Sequence, residues 1–180
     1  MPDSSDRQRL IKERIKSAED RAIMSLAVIR DGVKDFLITE KGYSESDIEF
    51  DREFEVIVDG KGILTSVDYI IKLNDTRFMA IKCSPGSLES RERHIVSFAR
   101  VVDSHQIPFA VVTDGSQARI LNTVSGKLIS EGLDSIPYRS QALEIIKSVE
   151  FIPYPQERLD REKRILLAFD VIKCTEELCE

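Results

Sequence analysis

The chain has 180 residues, 42% of them hydrophobic, which is enough to bury one substantial core. Its 32 acidic side chains outnumber its 26 lysines and arginines, giving a net charge of −6. Since affinity for the phosphate backbone comes mainly from Lys and Arg, this balance excludes a polycation that binds nucleic acid over its whole surface. We expect a single domain over residues 1–180.

The sequence contains no signal for export, for a membrane span or for a zinc site. No apolar run approaches the roughly 18 residues that a membrane span needs, and the N-terminus lacks the apolar stretch of an export signal. The three cysteines, Cys83, Cys174 and Cys179, lack C-x-x-C spacing, and the two histidines stand alone. We therefore expect a cytoplasmic protein with reduced thiols and no membrane partner.

The first 41 residues have the periodicity of helices. Apolar residues recur three and four positions apart from Arg7 to about Lys41, and Asp31-Gly32 is a candidate break. The pattern predicts two helices or one interrupted helix.

Three strands follow this helical region. Residues 48–58 alternate acidic and apolar side chains up to Asp59-Gly60-Lys61-Gly62, which is a hairpin signal. Leu64–Leu73 and Arg77–Cys83 have the composition of two further strands. We predict a three-stranded meander.

A helix and a second group of strands complete the predicted core. Leu88–Asp103 carries the apolar stripe of an amphipathic helix, and Pro108–Thr113 is the continuous apolar run of a buried strand reached by a crossover. Short strands are predicted near 118–122 and 127–129.

The C-terminal third has helical patterns at 138–148 and from 157 to about 177. We therefore divide the chain into N-terminal helices (1–41), a core (42–130) and a C-terminal helical extension (131–180).

Asp68 and Lys82 are the residues that most suggest chemistry. Asp68 lies within an apolar strand, where an unpaired buried carboxylate is costly. Side chains alternate along a strand, so Ala80 and Lys82 point to one face and their odd-numbered neighbours point to the other. Carboxylates bind Mg²⁺, and a nearby cation stabilises charge that develops on a reacting phosphate. Asp68 is therefore a candidate metal ligand and Lys82 a candidate cation beside a phosphate.

The order helix, meander, helix, strand, strand, with the acid on the second strand and the lysine on the third, resembles the restriction-endonuclease-like fold of PD-(D/E)xK nucleases. From Gly42 to about Lys127 the chain is similar to the N-terminal domain of type I restriction enzyme R subunits. The resemblance implies an α/β fold with a mixed central sheet flanked by helices, with extra N- and C-terminal helices. The matching segments are Lys41-Gly42-Tyr43, residues 66–71, residues 79–82, Ser97-Phe98-Ala99-Arg100, and residues 109–115 leading into an Arg-Ile-Leu strand.

The resemblance also implies a site. The family's catalytic acid and metal ligand falls on Asp68 and its catalytic lysine on Lys82, with Mg²⁺ as the cofactor if the site is active. Its glutamate falls on Ala80, and a Gln-x-x-x-Tyr pair on the following helix falls on His94 and Phe98, so the chain departs from the pattern at these positions. The candidates for a migrated carboxylate are Glu89 and Glu92 on that helix and Glu40 near the end of the N-terminal helical region.

Four residues of the same helix are candidates for contacting nucleic acid: Arg91, Arg93, His94 and Arg100. Because Glu89 and Glu92 alternate with the arginines, the same residues also fit a solvated helix face with local ion pairs. His94 is expected on the helix surface.

Three functions remain open. The first is a nuclease-like domain that has lost catalysis and binds nucleic acid or a partner protein, and the departures at Ala80 and His94 favour it. The second is an Mg²⁺-dependent DNA endonuclease with a migrated carboxylate. The third is an interaction module in which the C-terminal helices form a homo-oligomer or dock a partner.

Overall fold

The described residues form eight strands, which are arranged in one large and one small sheet. The computed structural model describes the backbone of residues 4–174 and the side chains of residues 8–170 apart from 10, 11, 18, 21 and 24. Strands β2 and β3 form a separate hairpin, and the other six form a mixed sheet in the order β1-β4-β5-β6-β7-β8, in which β5 and β6 pair parallel. The predicted mixed α/β fold is confirmed. The strands are β1 (Ile48–Phe50), β2 (Glu53–Val58), β3 (Lys61–Ser66), β4 (Tyr69–Leu73), β5 (Thr76–Cys83), β6 (Phe109–Thr113), β7 (Ala118–Asn122) and β8 (Lys127–Glu131).

The predicted three-stranded meander is wrong in one respect, because each of its first two strands is divided in two. β1 pairs with β4 in the large sheet, whereas β2 pairs with β3 in the small one. The divisions fall at Asp51-Arg52 and at Val67-Asp68. Asp51 has a φ of 48°, and its N–H donates to the Asp68 carbonyl at 3.1 Å. A left-handed residue cannot continue a strand, so the distal half of the long hairpin leaves the sheet at this bend.

The α-helices that flank the sheet in the described part of the chain are α1 (Ser4–Thr39), α2 (Glu89–Val101), α3 (Arg139–Ser148) and α4 (Gln156–Cys174). α1 is continuous, so the predicted break at Asp31-Gly32 is wrong. A glycine inside a helix costs only about 1 kcal/mol relative to alanine, and the fully buried Val33 and Leu37 beyond it hold this end of α1 on the core. The predicted end of the last helix near residue 177 lies outside the described residues.

Each face of the large sheet has its own apolar core. On one face the core includes Met79, Ile81 and Cys83 of β5, and residues of α1 and α3 contribute to it. On the other face it includes Ala80, and residues of α2, the small hairpin and α4 contribute to it. The predicted alternation along β5 is therefore confirmed. Among the described residues, no helix combines the length and the apolar character needed to cross a membrane.

We predict that Phe98→Ala lowers the free energy of unfolding by about 3–5 kcal/mol, the usual cost of removing a buried phenyl ring. The Phe98 ring is fully buried on α2 and meets the Phe54 ring of the small hairpin edge to face, with centroids 5.4 Å apart. Urea denaturation measures the loss. Ile57→Ala, on a side chain that is 52% exposed, is the matched control and is expected to change stability by less than about 0.5 kcal/mol. Equal effects of the two substitutions would contradict this packing.

Candidate functional site

Asp68 is the central residue of the candidate site. It lies at the bend where the small hairpin leaves the large sheet, and only 3% of it is exposed. Its Oδ2 accepts the backbone N–H of Cys83 at 2.7 Å and lies 3.2 Å from the Nζ of Lys82. The structure thus brings the two predicted catalytic residues into direct contact, because β4 and β5 are adjacent antiparallel strands.

The other oxygen of the same carboxylate is bound by an arginine of α1. The Nε of Arg30 lies 3.1 Å from Oδ1 of Asp68, and its terminal NH2 nitrogen lies 2.9 Å from Oδ1 of Asp51. The guanidinium also lies over the Phe50 ring, 5.1 Å from its centroid. The Tyr69 hydroxyl donates to the Arg30 carbonyl at 2.7 Å, which fixes this turn of α1 on the sheet.

Electrostatics keep this arginine charged. Burial opposes the charged form, but the negative charges of Asp68 and Asp51 raise the pKa of the Arg30 guanidinium above its ordinary value. Arg30 therefore supplies a permanent positive charge between two carboxylates.

The thiol of Cys83 is next to the same carboxylate. Burial, and then the charge of Asp68, raise the pKa of Cys83 to about 12. The thiol is therefore protonated at neutral pH and is a poor nucleophile, which agrees with a packing role.

Ala80 occupies an apolar environment rather than a polar cavity. It is fully buried, belongs to the α2-side core, and pairs with Ile70 on one neighbouring strand and Ala110 on the other. The place where the nuclease pattern expects a carboxylate is therefore surrounded by hydrocarbon.

Glu89 and Glu92 bind a different cation. The strand register places Lys82 beside Val112, Val112 beside Arg119, and Arg119 beside Glu131. Arg119 pairs with Glu92 and Glu131 and lies 3.4 Å from Glu89. Since Arg119 lies two strands from Lys82, roughly 10 Å away, it draws both glutamates away from Asp68.

Glu40, the third candidate for a migrated carboxylate, is also distant from Asp68. It is exposed and follows the end of α1 at Thr39. At the rise of an α-helix, it lies about 15 Å along the axis from Arg30. The structure does not bring it to the site.

The donor set does not fit a bound Mg²⁺ in this arrangement. Arg30 bridges Asp68 and Asp51, contacting one carboxylate oxygen of each. Lys82 takes the remaining ion-pairing position on Asp68. Within the part of the chain that the structure describes, no three His, Cys, Asp or Glu side chains are grouped closely enough to hold a metal ion. Two cations thus satisfy the carboxylate that would bind the metal.

The expectation that His94 lies on the helix surface is wrong. Only 2% of His94 is exposed, its Nε2 lies 3.2 Å from Oδ1 of Asp170, and its ring lies 5.2 Å from that of Phe169. His94 therefore joins α2 to α4 and does not face solvent. The periodicity of α2 did not reveal this because α4 covers a second face of the helix.

The three arginines of α2 have different environments. Arg100 is tied to the protein: its Nε donates to the Thr123 carbonyl at 3.0 Å, and one of its NH1 hydrogens is directed at Glu162 at 3.2 Å. Arg91 and Arg93 are exposed, and the Arg91 guanidinium lies 6.0 Å from the Phe169 ring centroid. Arg93 is the one that remains available to a ligand in a neighbouring groove.

Comparison with known proteins identifies the family. A family model described as the type I restriction enzyme R protein N terminus matches residues 27–137, which include Arg30, Asp51, Asp68 and Lys82. The chain belongs to this family. A solved fragment of a protein named as an HsdR subunit of a type I restriction enzyme, from Vibrio vulnificus YJ016, is similar at 17% identity with a TM-score of 0.46. The similarity covers 68% of this chain and 25% of that one, so this chain spans about a quarter of that chain's length. The search of curated proteins found no match.

Sequence reasoning missed two residues of this R-protein site, Arg30 and Asp51. Arg30 lies in the helical stretch outside the segment on which the resemblance was based, and nothing in its spacing marks it. Asp51 was one of several acidic residues in an alternating segment, and only its left-handed backbone places it beside Asp68. The signal for a further cation was the expected burial of Asp68, because a buried carboxylate requires a cationic partner.

We predict that Arg30 and Asp68 are energetically coupled. Arg30→Ala should lower the free energy of unfolding by about 1–3 kcal/mol, because it removes an ion-pair partner from a buried carboxylate. In an Asp68→Asn background the same substitution should cost clearly less. Urea denaturation of the two single variants and the double variant measures the coupling. Additive losses would show that the contact contributes nothing to stability.

We predict that Ala80→Glu destabilises the protein by about 3 kcal/mol or more, because the new carboxylate enters an apolar core. Thermal and urea denaturation measure the loss, and Ile129→Glu on an exposed strand position is the control. The opposing outcome is a variant of unchanged stability with increased Mn²⁺ affinity, which would indicate that a nuclease cavity has been retained at position 80.

Proposed function

We propose that this chain is a nuclease-fold domain that no longer cleaves and that binds nucleic acid. The observation that carries the proposal is the ion network of Arg30, Lys82 and Asp68, in which a guanidinium lies against the carboxylate that a nuclease would use for its metal. A metal-dependent nuclease needs this carboxylate free to bind Mg²⁺ beside the scissile phosphate.

Three further features support the loss of cleavage. Ala80 is enclosed by apolar side chains. Glu92 is held by Arg119, which lies on the same row of the sheet as Lys82 but two strands away. No third donor from the described residues joins Asp68 and Asp51. Each of these features removes one way of completing a metal site.

The proposal that the chain binds nucleic acid rests on its family membership and on the local basic regions of its surface. Restriction enzymes act on DNA, and this chain belongs to a family of their R proteins. Although the net charge is −6, individual grooves can be basic. The alternative from sequence, a homo-oligomer or partner-docking module built on the C-terminal helices, stays a prediction, and no contact of the described residues favours it over nucleic acid.

Incubation with supercoiled plasmid tests the loss of cleavage. With Mg²⁺ or Mn²⁺ present, the wild-type chain is expected to leave the plasmid intact, and gel retardation of single-stranded and duplex oligonucleotides measures its binding separately. Nicking by the wild type that disappears in both Asp68→Ala and Lys82→Ala would instead establish an active metal-dependent endonuclease. Nicking that survives either substitution would point to a contaminating nuclease and would remove the site assignment.

One observation favours the second candidate function, an endonuclease whose metal site is blocked. Arg30 bridges two carboxylates, Asp51 and Asp68, and so occupies the position of a cation between them. If Arg30 moved away, these two residues would be the ones to hold Mg²⁺, with Asp51 as the migrated carboxylate. The metal would supply Lewis-acid chemistry, and Lys82 would remain next to Asp68 as the fixed positive charge.

Arg30→Ala distinguishes the two functions. Our primary proposal predicts that this variant still leaves supercoiled plasmid intact with Mn²⁺ present. The blocked-nuclease alternative predicts that Arg30→Ala nicks the plasmid and that Arg30→Ala/Asp51→Asn does not. Arg164→Ala, which removes an exposed arginine paired with Asp59, is the matched control.

A further inference from the structure

A groove on the α2 side of the protein is lined by arginines and is separate from the Asp68 site. It has a volume of about 760 Å³ and lies between α2, the turn that joins β7 to β8, and the start of α4. The lining residues that matter here are Arg93, Arg100, Gln106, Tyr154, Arg158 and Arg161.

One buried carboxylate that lines the groove is neutralised by its own hydrogen-bond donors. Glu162 is 2% exposed and accepts hydrogen bonds from the Ser97 hydroxyl at 2.6 Å, the Arg100 guanidinium at 3.2 Å and the Tyr154 hydroxyl at 3.0 Å. The Arg100 guanidinium also lies 5.2 Å from the Tyr154 ring centroid. This carboxylate is therefore saturated by its neighbours and leaves the other arginines of the groove uncompensated.

The remaining arginines of the groove have no such partner. Arg93, Arg158 and Arg161 are exposed, and none of them forms an ion pair with a carboxylate of the described residues. Arg158 and Arg161 are one turn apart on α4, so both can face the same ligand. Three positive charges thus converge on one groove that contains no free negative charge among its described lining residues.

This arrangement contrasts with arginines elsewhere on the domain. Several of them are held by carboxylates, as expected in an acidic chain, and they are Arg30, Arg77, Arg119, Arg139 and Arg164. The groove instead concentrates arginines that lack such partners. A cluster of unpaired arginines in a concave site is suited to an anion, and the planar guanidinium binds phosphate groups particularly well.

The shape and the other lining residues narrow the class of anion. Ile152, Pro153, Tyr154 and Pro155 give the groove an apolar and aromatic wall opposite α2. Sites for single-stranded nucleic acid combine a positively charged groove along the backbone with side chains against which bases pack. A volume of about 760 Å³ suits a few nucleotides of one strand, not a duplex that would lie across an open surface.

We propose that Arg93, Arg158 and Arg161 bind the phosphates of a single-stranded nucleic acid in this groove. The inference rests on the proposed function, since it names the surface and the form of nucleic acid that a non-cleaving domain would bind. Arg100 is a positioning residue in it, because it holds the β7–β8 turn through the Thr123 and Val124 carbonyls and orients the Tyr154 ring.

Fluorescence anisotropy with a labelled oligothymidylate of about 12 nucleotides tests this assignment on the full chain. The triple variant Arg93→Gln/Arg158→Gln/Arg161→Gln is expected to bind at least about 10-fold more weakly at low salt, and the slope of log affinity against log salt should fall by about 2. The control Lys61→Gln/Lys72→Gln/Lys147→Gln removes the same charge from β3, β4 and α3. It is expected to bind nearly as tightly as the wild type.

The outcomes separate this inference from the proposed function. If the wild type binds nucleic acid and the two triple variants bind equally well, the groove assignment fails while the proposed function stands. Tighter binding to a duplex of the same length, or displacement of the strand by equimolar thymidine monophosphate, would also overturn the single-strand assignment. If the wild type binds neither strand form, both proposals fail. Circular dichroism of the variants checks that each one is folded.

Discussion

The buried carboxylate of Asp68 is the constraint on which the rest of the site depends. A carboxylate taken out of water must be paired and hydrogen-bonded, or it destabilises the fold. Here three groups from two elements meet that requirement: β5 supplies Lys82 and the Cys83 N–H, and α1 supplies Arg30. In a nuclease a metal ion would carry part of this positive charge. A guanidinium does so here, and it ties the N-terminal helix to the bend at Asp51.

The same reasoning applies to the strands around Asp68. The strands need Asp68 to be neutralised, and an arginine accomplishes this without a third carboxylate. Ala80 meanwhile packs in the apolar core between β5 and α2. Arg93, Arg158 and Arg161, which line the groove beside Tyr154, form no ion pair with a carboxylate of the described residues.

Sequence patterns predicted the fold well because burial imposes them. The alternation along β5, the stripe of α2 and the apolar run of β6 each correspond to a described element. Features set by long-range contacts were not predicted. The bend at Asp51 interrupts a regular alternation of side chains. Gly32 is tolerated within α1 because Val33 and Leu37 hold the helix on the core. His94 is buried by α4, a helix that is distant in sequence. The sequence pattern singled out Asp68 and Lys82, whereas Arg30 is recognised only by its contact with Asp68 in the folded chain.

Calorimetric titration of Mn²⁺ into the wild-type chain, beside Asp68→Asn, tests the central claim most directly. If Arg30 and Lys82 satisfy Asp68, the two proteins should give the same heats, with no binding that depends on this carboxylate. Binding of one Mn²⁺ by the wild type that is lost in Asp68→Asn would contradict the account, because it would show that the carboxylate is free to hold a metal.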